Sequence, residues 1–222
     1  MTVETEDLIG RLAAELRPVR RLPHPLVRAA AWIGFALAVI GLLAAAVGPR
    51  HDLMERLGQP HEMAQLLFCL ATGVLAAVAA FELSLPGRSP YWALLPLPPA
   101  VAWVASLGMG CLAEVARMGP QALVFGTSWE CFRFIVLMGV PLALSLLWML
   151  RHAGPIRPVP VAALGGLAGA ALSAAGLSLF HHIEAALLVL VWHGGATLVV
   201  VACFLLAGHA WRARAAPGFT AA

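Results

Sequence analysis

Six long apolar runs, separated by short polar segments, organise this chain. Stretches of about 20 apolar residues suffice to cross a bilayer as a helix, and the chain offers them at 27–47, 64–83, 91–112, 129–150, 159–180 and 185–208. Pro96, Pro98 and Pro99 fall early in the third run and are expected to kink or fray its first half. The fifth carries Gly165, Gly169, Ser173 and Gly176 at intervals that let helix backbones approach closely. Packing within the chain is the favoured reading of that pattern, ahead of dimerisation. A shorter pattern precedes the first run: Leu8, Ile9, Leu12, Ala13 and Leu16 recur at helical spacing and form one apolar face. Acidic residues lead this amphipathic helix, which suits its dipole, and Pro18 stops it.

The pattern therefore predicts an all-α integral membrane bundle of six transmembrane helices (27–208), preceded by an N-terminal segment (1–26) and followed by a tail (209–222). Composition agrees. With 61% hydrophobic and 11% charged residues, the chain lies far from soluble domains, in which roughly a quarter of residues are charged. Residues 1–16 hold four acidic side chains and no continuous apolar core, so the first span is expected to act as the targeting signal.

All fourteen basic residues are arginine, and their positions give an orientation. Arg11, Arg17, Arg20, Arg21, Arg28, Arg88, Arg151, Arg157, Arg212 and Arg214 fall on one side of the predicted bundle. Arg50, Arg56, Arg117 and Arg133 fall at the other. The positive-inside rule then puts both termini in the cytoplasm, as an even number of spans requires. The basic balance reflects this topology and not direct nucleic-acid binding.

Orientation sorts the groups that carry chemistry. Cys111 and Cys131 lie at the expected outer face, Cys69 about 8 Å below it at 1.5 Å rise per residue, and Cys203 near the inner face as a packing residue. His51, His61, His181 and His182 are outer, and His193 sits two to three turns into the last span. Thr127 followed by Glu130 reads as a capping box. It would place Cys131 in a helix first turn, where backbone N–H groups ease thiol ionisation; a small apolar residue filling a gap between helices is the equal alternative. Thiols and imidazoles on one face suit soft metals or thiol oxidation. The amphipathic start, with Arg17, Arg20 and Arg21 behind it, reads equally as a helix lying on lipid or as one docking in a partner's groove.

Several segments resemble one family. They are Asp7-Leu8-Ile9 through Leu12-Ala13, Leu16 and Pro18-Val19-Arg20-Arg21-Leu22; Phe81-Glu82-Leu83-Ser84-Leu85-Pro86-Gly87-Arg88-Ser89; Gly110-Cys111; Trp129-Glu130-Cys131-Phe132-Arg133-Phe134; and Trp192-His193-Gly194. In order and placement they are similar to the NrsF-like negative regulators of extracytoplasmic-function sigma factors, six-span anti-sigma factors of the bacterial inner membrane. The resemblance implies a non-enzymatic regulator that sequesters such a sigma factor through its N-terminal segment, with Leu8, Ile9, Leu12, Leu16, Arg20 and Arg21 as contact residues. It implies release on a periplasmic heavy-metal or oxidative signal, with Cys131 as a sensing thiol.

The family's second thiol is expected just before the last span, where this chain has Phe180-His181-His182-Ile183-Glu184 instead. Two arrangements would restore a switch. Cys131 could pair with Cys111, since a loop of about fifteen residues, at a reach near 3.3 Å each, lets the ends meet. Alternatively Cys131 with His181, His182 and His193 could bind zinc, cadmium or copper. A membrane thiol-disulfide oxidoreductase and a small transporter are the competing classes, and the oligomeric state, homo-oligomer included, stays open.

Overall fold

The structure, a computed structural model, describes residues 5–15, 22–122, 129–153, 156–180 and 186–215. These fold into α1 (Thr5–Ala14), α2 (Pro25–Val47), α3 (Leu53–Leu57), α4 (Pro60–Leu83), α5 (Leu97–Met118), α6 (Trp129–Leu150), α7 (Pro158–Leu177) and α8 (Ala186–Ala215), with short 3-10 turns and, among the described residues, no strand. Six helices are long and apolar enough to cross a membrane, and the chain is a multi-pass membrane protein. One end of the bundle holds the start of α2; the other holds the short α3.

Prolines open the spans. Pro25, Pro60 and Pro158 stand in the first turns of α2, α4 and α7, where a missing N–H costs nothing because that donor has no partner inside the helix. The same reason corrects the expectation for the third span. Pro96 caps α5 and Pro98 and Pro99 lie in its first turn, so the helix runs regularly from Leu97 to Met118, with a separate 3-10 turn at Pro90–Leu94 ahead of it. The last helix also exceeds its expected end and continues to Ala215, with Arg212 and Arg214 in its last turn opposite the negative end of the helix dipole.

The centre of the bundle is α7. It packs most extensively on α8, α4 and α6 and also touches α2, and every residue from Ala168 to Leu177 is buried. Its small residues make this possible. A Cβ on Gly169 would run into the Gly139 carbonyl and the Ala143 nitrogen of α6, and one on Gly139 would lie 3.1 Å from the Ala170 Cα. Gly73 of α4 is similarly closed by Leu172, and Gly176 by Ile40 of α2. Ser173 returns its hydroxyl to the Gly169 carbonyl at 2.7 Å and so buries no unpaired polar group. The glycine pattern thus packs helices within the chain, as expected.

At the α2-start end, polar contacts tie α2 to α6. Buried Arg28 donates to the Met149 carbonyl, with its guanidinium carbon 5.3 Å from the Phe81 ring centre. Trp32 Nε1 donates to Ser145 Oγ at 2.9 Å. Beside them buried Glu82 pairs with Arg88 at 3.0 Å, and Arg157 donates to the Arg88 carbonyl. Cys203 faces outward and is exposed, which corrects its reading as a packing residue.

Gly169→Val should destabilise the bundle by about 3 kcal/mol, the upper range for overpacking, since backbone and not a side chain opposes the new atoms. Thermal unfolding in detergent should show a clear fall in midpoint, whereas Gly34→Val, at an exposed position with open space around it, should change it little.

Candidate functional site

The buried stripe of α6 runs Cys131, Ile135, Gly139, Leu142, Leu146 and Leu150, spacings of three and four that mark one helix face. Cys131 belongs to the first turn, as expected, but it points inward and is fully buried. The expectation of an accessible thiol is corrected: the turn is at the helix end, yet its inner side is already core. The capping residue inferred for this turn, Thr127, lies outside the described residues.

Aromatic rings hold this end of α6 in place. Trp129 stacks on Phe132 at 5.3 Å, Phe132 meets Trp192 of α8 edge-on at 6.2 Å, and Phe134 meets Phe180 edge-on at 5.1 Å. The segment 129–134 and the segment 192–194, far apart in sequence, therefore touch. Such ring pairs contribute about 0.5–1.5 kcal/mol each beyond area burial.

A cavity of about 1290 Å³ opens at the α3 end. It exists because α5 packs on α4 and α8 but forms no extensive interface with α7. Trp103 and Leu107 of α5 and Phe68 of α4 form apolar wall. Cys69, Cys131 and His193, all buried, reach the same cavity from α4, α6 and α8. Cys69 donates its thiol to the Ala171 carbonyl at 3.2 Å.

Charged residues line the rim. Asp52 is held by Arg50 at 2.5 Å and by Arg56 at 3.1 Å, and Arg56 also pairs with Glu62 at 2.7 Å. The Arg50 backbone N–H donates to the Leu179 carbonyl, which fixes the rim to the end of α7. The hydrogen bond from Arg50, with that from Arg56, holds the Asp52 carboxyl well below the usual carboxylate range.

The predicted site residues are thus only partly brought together. Cys131 and His193 share the cavity, whereas Cys111 is half-buried on α5 outside its lining. All four cysteines are free thiols. His181 and His182 lie outside the described residues, as do Leu16, Arg20 and Arg21. Among the described residues, no group of three or more His, Cys, Asp or Glu side chains is placed to hold a metal ion. Sequence reasoning omitted Cys69 from the candidates. Its signal was the stripe Cys69, Thr72, Gly73, Ala76 and Ala80, the small, buried face of α4.

Ahead of α2 in the chain, α1 presents Leu8, Ile9 and Leu12 at 49–58% exposure and has no extensive interface with the spans. An unburied apolar stripe of this kind needs a partner or a lipid surface.

The profile of a family described as "Negative regulator of sigma F" matches residues 12–212. The "Anti-sigma-F factor NrsF" of Caulobacter vibrioides (strain NA1000 / CB15N) is 31% identical over 182 residues, 77% of each chain. No solved structure matches the chain.

A carboxyl whose pKa is depressed on folding contributes stability that is present above its unfolded value, near 4, and is lost as pH falls toward the folded value. Asp52→Asn should therefore lower the thermal midpoint by a constant amount from pH 8 to pH 5, with the gap closing below about pH 4. A midpoint series in detergent across that range checks this.

Proposed function

The chain belongs to the family of negative regulators of sigma F, and on that premise we propose that it is an anti-sigma factor of the bacterial inner membrane that sequesters an extracytoplasmic-function sigma factor. The role is regulatory and not enzymatic. The observation that carries the reading on this chain is α1, whose Leu8, Ile9 and Leu12 stand exposed ahead of α2 in the chain. The arginine distribution supports a cytoplasmic start of α2, where a sigma factor would meet α1. Leu16, Arg20 and Arg21 would extend the contact along the segment joining α1 to α2.

The α3 end is then periplasmic, and the cavity there is where a signal enters. Cys131, with His193 on the facing helix, is the proposed sensing centre for an oxidant or a soft metal such as zinc, cadmium or copper. His181 and His182 would supply further ligands. Cys131 and Cys69 belong to one buried cluster and line one cavity, which favours Cys69 over Cys111 as the thiol that shares its environment.

The proposed route to the cytoplasm is α6. Cys131 opens this helix, and its far end receives Arg28 and Trp32 of α2, the span that carries α1 on its cytoplasmic side. A signal can move the bundle only by its differential affinity for two arrangements. Displacement of α6 would alter those two contacts, of which a hydrogen bond from a charged group contributes about 1.5–3 kcal/mol.

Leu12→Asp should abolish co-purification of the sigma factor and give constitutive expression from its promoters, at unchanged membrane content of the protein. Retained repression would refute the assignment of α1. Cys131→Ala should keep basal repression and lose most of the induction by cadmium or peroxide; a full response in that variant would remove the thiol from the pathway.

A further inference from the structure

Arginines that the proposed function does not use meet at the α2-start end of the bundle. Arg88 follows a turn at Gly87, whose φ of 77° favours glycine, and its Nε pairs with buried Glu82 at 3.0 Å. Arg157, which caps α7, donates through Nη1 to the Arg88 carbonyl at 3.0 Å. A third guanidinium comes from α8. A Cβ on Gly208 would lie 2.8 Å from the Val159 Cα, so α8 meets the start of α7 in backbone contact. Arg212, four residues after Gly208, stands exposed one turn further out on the same face.

Charge at this corner is unbalanced. In the spans and connections of this end, Glu82 is the only carboxylate among the described residues, so three guanidiniums accompany one buried negative charge. Each guanidinium has five N–H donors, and the bonds to Glu82, to the Arg88 carbonyl and to His209 engage one apiece. Such forks match the oxygens of a phosphate.

Apolar surface adjoins the charge. Directly after Arg88, Ser89, Tyr91, Trp92 and Leu95 line a shallow groove of about 260 Å³. Tyr91 is exposed, and Leu94 and Leu97 continue the exposed apolar surface into α5. Tyrosine and tryptophan favour the headgroup level of a bilayer. The chain thus passes from guanidinium through hydroxyl and aromatic groups to aliphatic ones, the order of groups in a phospholipid.

We infer that this corner is a binding seat for one anionic phospholipid. Its phosphate lies on Arg88, Arg157 and Arg212, its glycerol region at Ser89 and Tyr91, and the first methylenes of a chain along the groove toward Leu95. Basic pockets between membrane helices recognise anionic headgroups in this way. The seat requires only that this end lies at a membrane face, so it does not rest on the anti-sigma reading.

The test titrates the full chain in detergent with phosphatidylglycerol and with phosphatidylcholine of identical chains, and counts bound lipid by native mass spectrometry. Phosphatidylglycerol should bind at least ten-fold more tightly. Arg157→Gln and Arg212→Gln should each weaken it about five-fold, the effect of one arginine near an anionic headgroup, and leave phosphatidylcholine unchanged. Arg88 is retained in all variants because its loss would leave buried Glu82 without its partner. Arg133→Gln, at an exposed position of the opposite end, should change neither lipid, and Tyr91→Ala should weaken both.

Equal affinity for the two lipids would overturn the inference, as would unchanged phosphatidylglycerol binding in Arg212→Gln, whose exposed side chain makes misfolding no explanation. An equal loss in Arg133→Gln would show that any interfacial arginine suffices. Unchanged binding in Tyr91→Ala would remove the groove, and displacement of the lipid by equimolar glycerol 3-phosphate would assign the arginines to a soluble phosphate. No readout here involves a sigma factor, so failure of the lipid seat and failure of the anti-sigma reading are separable.

Discussion

Backbone contact between α6 and α7, at Gly139 and Gly169, is the constraint on which the rest of the bundle rests. In a bilayer, apolar surface gains little by leaving lipid for another helix, so association depends on close packing and on hydrogen bonds. α7 meets that condition with small residues along almost its whole length, which lets α4, α6 and α8 approach it and α2 reach it at Gly176. Each approach is short because the opposing residue has no side chain to displace.

The same packing leaves one place unfilled. With α5 seated on α4 and α8, the space between it and α7 becomes the cavity at the α3 end. Cys69, Cys131 and His193 therefore face a shared interior space and not the surface. α6 links this space to the opposite end of the bundle, where Arg28 and Trp32 fasten α2 to it. α6 thus joins a thiol at one end to the fastening of α2 at the other, with Pro141 removing one backbone hydrogen bond between them.

Most of the fold was legible in the sequence. Six apolar runs became six spans, and the glycines of the fifth became its packing face. The proline cluster misled because its effect depends on where the helix begins, and in a first turn proline breaks nothing. The site was less legible. Cys131 was found through its neighbours, but the choice between an accessible thiol and a buried packing residue was not legible, because Trp129, Leu137 and Trp148 on the lipid side of α6 are as apolar as Ile135 and Leu146 on the inner side. Periodicity distinguishes core from water, and a helix in lipid has apolar residues all round.

The sequence by itself determined that the chain crosses the membrane six times, where each crossing falls and that an amphipathic helix precedes the first. Hydrocarbon admits only long, internally hydrogen-bonded apolar helices, so those features are written as run lengths. Tertiary structure alone decided which faces touch. It brought Cys69 to the cavity of Cys131, left Cys111 outside it and set Phe132 against Trp192. Those outcomes follow from steric fit between particular side chains and backbones, and no one-dimensional pattern of hydrophobicity carries that fit.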